Sequence, residues 1–546
     1  MVNPNARACF AGILILIVAF GVGCDRAEQS VPAKPNVLFI IFDDLNFQSV
    51  EGIGRYANAS TPNLERLAQA GTRFTNAHTN APLCAPSRAS MLSGLYPHTS
   101  GYFTYVARGT DQPKTRFRQN PVLRGSKTLM EHFKENGYWV GGTGKIFHHM
   151  DRDTTVWINS DGEYAFGIDP DYGPYPSKGT GEGNAWRMGH PNQPACLNAV
   201  QCFGSLQDIP VIPPGEEYPG YKGWMLKGEP FHYNADDDRD LMPDEQSAAW
   251  VVSQLRRDLG KPFLMMVGFN RPHMPLYAPQ KYFDLFPLDS IPLFVEEGDF
   301  DDCGQVFKEE GSGTTDFGFR KYQHVIERAG KEGLKAYIQA YLASVAFADA
   351  QLGIILDALE HSVYADNTII IVTSDHGYHL GEKEYLFKNS LWEESTRIPL
   401  VIVPTGNPTP YEVEQPVSLI DLYPTLIDYC ALPGDPNQTT HGIALDGHSL
   451  VPLLKSPDAR GWEGPGFALT NVAYGKGYRA GEVGIKELQY YTIRTQDYRY
   501  ILHPNGEEEL YDHQKDDLER FNVADQESYR QVKVGLAKKL RNMIKL

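Results

Sequence analysis

At 546 residues the chain is long enough for one large domain and a smaller one. With 42% hydrophobic and 22% charged residues and no low-complexity tract, its composition is that of a globular protein with a sizeable core. The net charge of −18 argues against a nucleic acid as partner, but it leaves room for a small anionic substrate, because a local cluster of lysine, arginine and metal overrides the global sign.

From the N-terminus, Arg7 precedes the apolar run "CFAGILILIVAFGVGC", which is shorter than the roughly 18 residues expected of a membrane span. It resembles a signal peptide, and Cys24 after Val22 and Gly23 resembles a bacterial lipoprotein box, with Gly21 where leucine is usual. The expectation is a leader over 1–24 and a lipid anchor at Cys24, placing the protein in the periplasm or at the cell surface; ordinary cleavage and a retained anchor are the alternatives. After residue 30 no apolar run is expected to span a membrane. Of seven cysteines, Cys9 and Cys24 fall in the leader, Cys196 and Cys202 are candidates for a small disulfide, and Cys303 and Cys430 have no evident partner. Cys84 is then left odd in an exported chain.

Next come four short apolar runs that end in polar residues. "NVLFIIF" ends in Asp43 and Asp44; "YWVGGTG" leads to Lys145 and His148; "FLMMVGF" to Arg271 and His273; "TIIIVTS" to Asp375 and His376. Continuous apolar runs of this kind, separated by helical segments, read as buried strands of an α/β sheet, whose ligands sit beyond the strands' carboxyl ends. One helix is marked by Thr61 as N-cap, Pro62 in the first turn, an apolar face of Leu64, Leu67 and Ala68, and Gly71 as terminator. Asp43, Asp44 and Asp375 at neighbouring strand ends repel one another unless a cation lies among them, so a hard divalent ion is expected there. Either motif alone reads better as a strand-to-loop cap; their shared position after two core strands favours the metal. The acidic clusters "NADDDRD" and "EGDFDD" read as solvated loops.

Cys84-Ala85-Pro86-Ser87-Arg88, with Leu92 and Gly94, resembles the signature of the type I sulfatases, although Leu95 stands where the family usually has arginine. A buried structural cysteine and a thiolate nucleophile assisted by histidine are the alternatives. The resemblance runs from Asn36 to "TIRTQDYRYILHPNGEEELYD" and is nearest to the iduronate-2-sulfatase-like branch, through "NVLFIIFDDLN", "KENGYWVGGTGKIFH", "RPHMP", "TSDHGYHLGE" and "STRIPLVI". Residues 151–235 match poorly and are where substrate loops are expected.

The resemblance implies an alkaline-phosphatase-like α/β fold: a large, mostly parallel mixed sheet flanked by helices over 34–457, and a small α+β subdomain with an antiparallel sheet over 458–546. It implies that a maturation enzyme converts Cys84 to formylglycine, whose hydrate attacks sulfur. The metal would be calcium rather than magnesium, held by Asp43, Asp44, residue 84, Asp375 and His376. Arg88 and Lys145 would steady the nucleophile, and His148 would be the base that releases sulfate. His273 would be the acid for the leaving oxygen, with Lys388 beside it on the sulfate. Arg271 would meet a substrate carboxylate, making the expected substrate a 2-O-sulfated uronic acid on a glycosaminoglycan-like or algal oligosaccharide.

Three other roles compete with this one: a sulfatase for another algal sugar, a phosphodiesterase or phosphonate hydrolase, and a non-catalytic sugar-binding lipoprotein. By residue type, His98, His149 and His379 read as structural, and Arg397 as an ion-pair partner of Glu393 or Glu394. At the C-terminus, "YYTIRTQDYRYILH" reads as strand, "NGEEELYDH" as turn and "YRQVKVGLAKKLRNMI" as helix.

Overall fold

The four apolar runs pair with one another because each is apolar on both faces. A computed structural model describes residues 34–104, 116–148, 153–176, 203–208, 224–227, 229–309, 315–406, 408–437, 443–456, 461–474 and 484–545. The leader with Cys24, the Cys196 and Cys202 pair, His149 and the expected boundary at 458 lie outside the described residues.

One large sheet is built from β1 (Asn36–Asp43), β2 (Thr72–His78), β3 (Trp139–Gly144), β4 (Phe263–Pro272), β5 (Thr368–Ser374), β6 (Arg397–Val403) and β7 (Tyr411–Val413), in the order β7-β2-β6-β5-β1-β4-β3. Strands β5, β1, β4 and β3 run parallel, whereas β6 is antiparallel to both neighbours. On the central β1, Leu38, Ile40 and Phe42 enter one core and Val37, Phe39 and Ile41 the other, so both faces are covered. The register sets Phe42 opposite Ser374 and Asp43 opposite Pro272, which brings the polar ends of three strands side by side.

The helices beside the sheet are α1 (Pro62–Ala68), α2 (Cys84–Ser93), α3 (Pro243–Leu255) and α4 (Asp316–Glu360). Leu64, Leu67 and Ala68 are buried as expected, but Thr61 does not cap α1 through its side chain. Its hydroxyl accepts from Glu51 N instead, and the carboxylate of Asp349, on α4, takes the N–H groups of Asn63 and Leu64 at 3.0 and 2.9 Å. A cap supplied from nearly three hundred residues away leaves no local signal. Gly71 is not a terminator either; a Cβ there would meet Ile402 O at 2.5 Å, so it is a point of close approach to β6. Helix α4 is interrupted at Gly330 (φ 61°, ψ −158°). It corrects the expectation about membrane spans: by length and composition it is apolar enough to cross one, but that stretch is mostly buried against the sheet, as a core helix is.

The C-terminal part forms a separate antiparallel sheet of β8 (Ala468–Val472), β9 (Tyr490–Arg494), β10 (Tyr498–Leu502) and β11 (Glu508–Asp512), in that order. Helix α5 (Arg530–Ile544) lays Leu536, Leu540 and Ile544 against Ile493, Tyr500 and Leu510. This sheet docks on the loop that leads into α2: Asn471 N donates to Asn80 O at 3.0 Å, and Asn80 Nδ2 to Leu469 O at 3.1 Å. The acidic stretch "EGDFDD" is not wholly solvated, since Asp299 is buried and ion-paired with Lys383 at 2.9 Å.

A buried charge network fastens the subdomain to the loop before β6. Glu393 is met by Arg397 at 3.3 Å, by Arg494 at 3.2 Å and by Arg499, which also pairs with Glu519; His513 reaches Glu519 at 2.7 Å. Burial would raise Glu519, but Arg499 and His513 hold it at about 2 against an ordinary 4.5. A carboxyl depressed on folding adds stability that is complete above its unfolded pKa and is lost as pH falls toward its folded one. Urea unfolding should therefore show stability declining from pH 4.5 toward 2, and Glu519→Gln should flatten that slope. The variant should also cost about 3 kcal/mol at neutral pH, as removal of one partner from a buried pair does. An unchanged pH slope in the variant would detach Glu519 from the effect.

Candidate active site

Cys84 is the first residue of α2 and Arg88 lies four residues on, so both point from one face of that helix toward the ends of β1 and β5. The start of α2 is fixed from outside: Ser87 Oγ donates to Asp375 O, and Thr79 Oγ1 donates to Ser87 Oγ at 3.0 Å. Lys145 follows β3 in a loop that presses against β4. Lys145 N donates to Gly268 O at 2.8 Å, and a Cβ at Gly268 would sit 1.8 Å from Lys145 O, so this approach requires glycine. Asp44 holds φ at 70°, a left-handed turn that takes the chain away from β1 just after Asp43.

The side chains converge. Lys388 Nζ lies 3.0 Å from Cys84 Sγ and 2.7 Å from Asp44 Oδ1, and His376 Nε2 lies 3.3 Å from the same sulfur and 3.5 Å from the same carboxylate oxygen. Arg88 Nε donates to Asp375 Oδ2 at 2.8 Å, and its Nη1 donates to the carbonyls of Lys145 and Ile146. Lys145 is ion-paired with Asp43. All of these side chains are buried.

This set has the features of a cation site. Ligand atoms of Asp43, Asp44, Cys84 and His376 all lie within 4.8 Å of one another. Asp375 stands just behind, its Oδ1 3.7 Å from His376 Nε2 and accepting the N–H groups of Asp44 and His376. Asp43 Oδ1 and Asp44 Oδ2 are buried with no hydrogen-bond partner, which is costly for a carboxylate and is what a bound cation relieves. Burial pushes Asp44 up to about 7, against Lys388 and with the like charge of Asp43. Burial would raise Asp43 too, but the charges of Lys145 and Arg88 hold it well below the carboxylate range. Burial keeps His376 neutral, and its Nδ1 faces Gly377 O at 3.1 Å, so Nε2 presents its lone pair to the cluster. The second acidic group, Glu393, His513 and Glu519, is already satisfied by arginines and is not of this kind. The Cys84 thiol is raised by burial and by Asp43, so it is not poised as a thiolate.

His273 is buried; its Nδ1 faces Met274 O at 2.6 Å and its ring stacks on Tyr172 at 4.5 Å between centroids. Tyr172 also lies 5.1 Å from Lys145 Nζ. It comes from the 151–235 stretch and no motif announced it. Burial and Lys145 draw His148 well below its ordinary value, with Asp43 opposing. His379 is structural, bonded to Ser390 Oγ at 2.7 Å, and His98 stacks on Tyr96.

Arg271 is a correction. Its guanidinium is 1% exposed and donates from Nε to Tyr277 O at 3.0 Å and from Nη2 to Tyr172 O and Gly173 O at 3.1 and 3.3 Å. Asp244, at the start of α3, takes the N–H groups of Asn270 and Arg271. Arg271 thus ties the His273 loop to the Tyr172 segment, and the carboxylate-reading role expected of it does not fit this placement.

The sequence model of the family described as Sulfatase matches residues 35–431, and that of the N-sulphoglucosamine sulphohydrolase C-terminal region matches 381–545. A protein named Sulfatase from Formosa agariphila is 33% identical over 508 residues, covering 91% of this chain and 85% of that one. Iduronate 2-sulfatase of Homo sapiens is 25% identical over 565 residues, covering 90% and 89%. The solved structure of a 2-O GAG sulfatase superposes with a TM-score of 0.61 at 18% identity, over 94% of this chain and 92% of the other. The chain belongs to the sulfatase family. It is a sulfuric ester hydrolase with the alkaline-phosphatase-like fold, and its kinship to the iduronate 2-sulfatases is distant.

Proposed function

We propose that the protein hydrolyses sulfate esters of carbohydrates, with 2-O-sulfated uronic acid residues as its substrate. The observation that carries the chemistry is the meeting of Cys84, Lys388 and His376 over two orphaned carboxylate oxygens. The sugar assignment rests on the relatedness to iduronate 2-sulfatase. The leader sequence and Cys24 support export and lipid anchoring at the periplasmic or outer face.

Asp43, Asp44, Asp375 and His376 would hold a calcium ion, which supplies positive charge to the sulfate oxygens. Formylglycine, made from Cys84 by a maturation enzyme, would supply the attacking oxygen. The chain's own side chains do the rest. Lys145 and Lys388 both bring positive charge to bear on residue 84, which offsets the charge that repels a nucleophile from a sulfate ester. Arg88 fixes Asp375 and the Lys145 turn. His148, held neutral by burial and Lys145, is ready to take a proton. Burial and Lys388 also hold His273 neutral in the free protein; the negative charge of a bound ester acts in the opposite direction and favours the charged, donating ring.

The test compares kcat/KM on 2-O-sulfated uronate oligosaccharides with sulfated galactose, fucose and N-acetylglucosamine fragments and with matched phosphate esters. Uronate sulfates should lead. Washing with chelator should lower the rate about 100-fold or more, a loss of several kcal/mol of charge stabilisation. Calcium should restore it and magnesium should not, since a flexible shell of several oxygens suits the larger ion. A preference for a sugar without a carboxylate would end the uronate reading, and faster phosphate turnover would end the sulfate one.

A further inference from the structure

With Arg271 committed to carbonyls, another buried cation stands beside the site. Lys321, in the opening turns of α4, is 3% exposed, and among the described residues no carboxylate pairs with it. Its Nζ lies 3.3 Å from the Met274 sulfur, 4.7 Å from the Phe317 ring centroid and 4.8 Å from that of Phe387. Among the described residues the other deeply buried lysines are matched: Lys145 with Asp43, Lys383 with Asp299, Lys388 with Asp44. Burying an ammonium without an anion is unfavourable, and a thioether with two ring faces offsets only part of that.

Its neighbours belong to the loops that carry His273 and Lys388. Met274 follows His273 directly, and Phe387, which precedes Lys388, has both lysines on its ring, Lys388 at 5.9 Å. Burial and Lys388 push the Lys321 ammonium well below its ordinary value while Asp44 opposes them, so it shares the field of the reaction centre. Phe317 and Phe387, the two rings against its Nζ, are only half-buried.

We propose that Lys321 is the specificity residue that receives the carboxylate of the sulfated sugar. This rests on the uronate reading above. A carboxylate entering beside the scissile sulfate would favour the charged form of this buried amine and give it the partner it lacks, in a water-poor setting where the pair discriminates strongly against a neutral substituent. Lys321 has no motif of its own, which is why the sequence does not announce it.

The experiment uses the matured enzyme and two substrates that differ at one group: a 2-O-sulfated uronate oligosaccharide and its carboxyl-reduced counterpart. The wild type should prefer the carboxylate. Lys321→Met, which keeps length and removes charge, should reduce that preference about tenfold or more, mainly through KM. Lys321→Arg should retain part of it. Melting of unliganded Lys321→Met should be no lower than wild type, because an apolar chain replaces an unpaired amine. If the variant keeps the wild-type preference, Lys321 is not the carboxylate receptor and the uronate reading stands. If the wild type has no preference, both fall. Equal losses on the two substrates with a lowered melting temperature would make Lys321 structural and overturn the proposal.

Discussion

Cys84→Ala should fold normally and lose on the order of 10⁴- to 10⁶-fold in kcat/KM on every sulfate ester, sugar or aryl, because it removes the attacking atom while leaving the binding groups in place. The size of the effect follows from the packing around position 84. Lys388 and His376 both address that one side-chain atom, at 3.0 and 3.3 Å, and no second nucleophile stands within the ligand group of Asp43, Asp44 and His376 among the described residues. The same argument makes the chemical state of residue 84 decisive. A thiol raised by burial and by Asp43 is a poor nucleophile, so unmodified protein should be nearly as inactive as the alanine variant. Peptide mass analysis of active enzyme should find the CH₂–SH of residue 84 replaced by an aldehyde. Active enzyme carrying only thiol would overturn the formylglycine assignment; full activity in Cys84→Ala would overturn the nucleophile itself.

Much of the site was legible because parallel strands buried on both faces are written as unbroken apolar runs, and their carboxyl ends are then easy to find. Asp43, Asp44, Asp375 and His376 were placed by that rule, and Lys145 with them. The unread parts have one physical trait in common: they are satisfied by partners distant in sequence. Arg271 reads as a substrate contact through the family resemblance and its place two residues before His273. Its use is the carbonyls of Tyr172 and Gly173, about a hundred residues away. Thr61 looked like a cap because the capping carboxylate belongs to Asp349. The apolar length of α4 is not visible as a run because its apolar residues are spread around a helix, where they pack against the sheet. Arg397, by contrast, was legible because its partner Glu393 lies one helical turn away. The C-terminal helix was legible for the same reason: its core contacts, Leu536, Leu540 and Ile544, repeat at four-residue spacing.

The remaining large effect separates two classes of substrate rather than active from inactive enzyme. His273 Nδ1 is engaged with Met274 O at 2.6 Å and the ring stacks on Tyr172 at 4.5 Å between centroids, so the ring is positioned before substrate arrives. An aryl sulfate leaves as a stabilised phenolate and needs little proton transfer; a sugar alkoxide needs nearly a whole proton in the transition state. His273→Ala should therefore lower kcat on sulfated sugars by roughly 10²- to 10⁴-fold, the usual worth of a general acid, and on an aryl sulfate by no more than about tenfold. Tyr172→Phe serves as the companion measurement. It keeps the stacked ring under His273, so it should leave the ratio of sugar to aryl turnover near the wild-type value even if both rates fall. The pH profile adds an independent readout, since the alkaline limb of sugar turnover should disappear with the imidazole while that of aryl turnover persists. Equal losses on both leaving groups in His273→Ala, with the sugar pH profile unchanged, would assign His273 to holding the loop and leave the proton donor to be sought among the other groups facing residue 84.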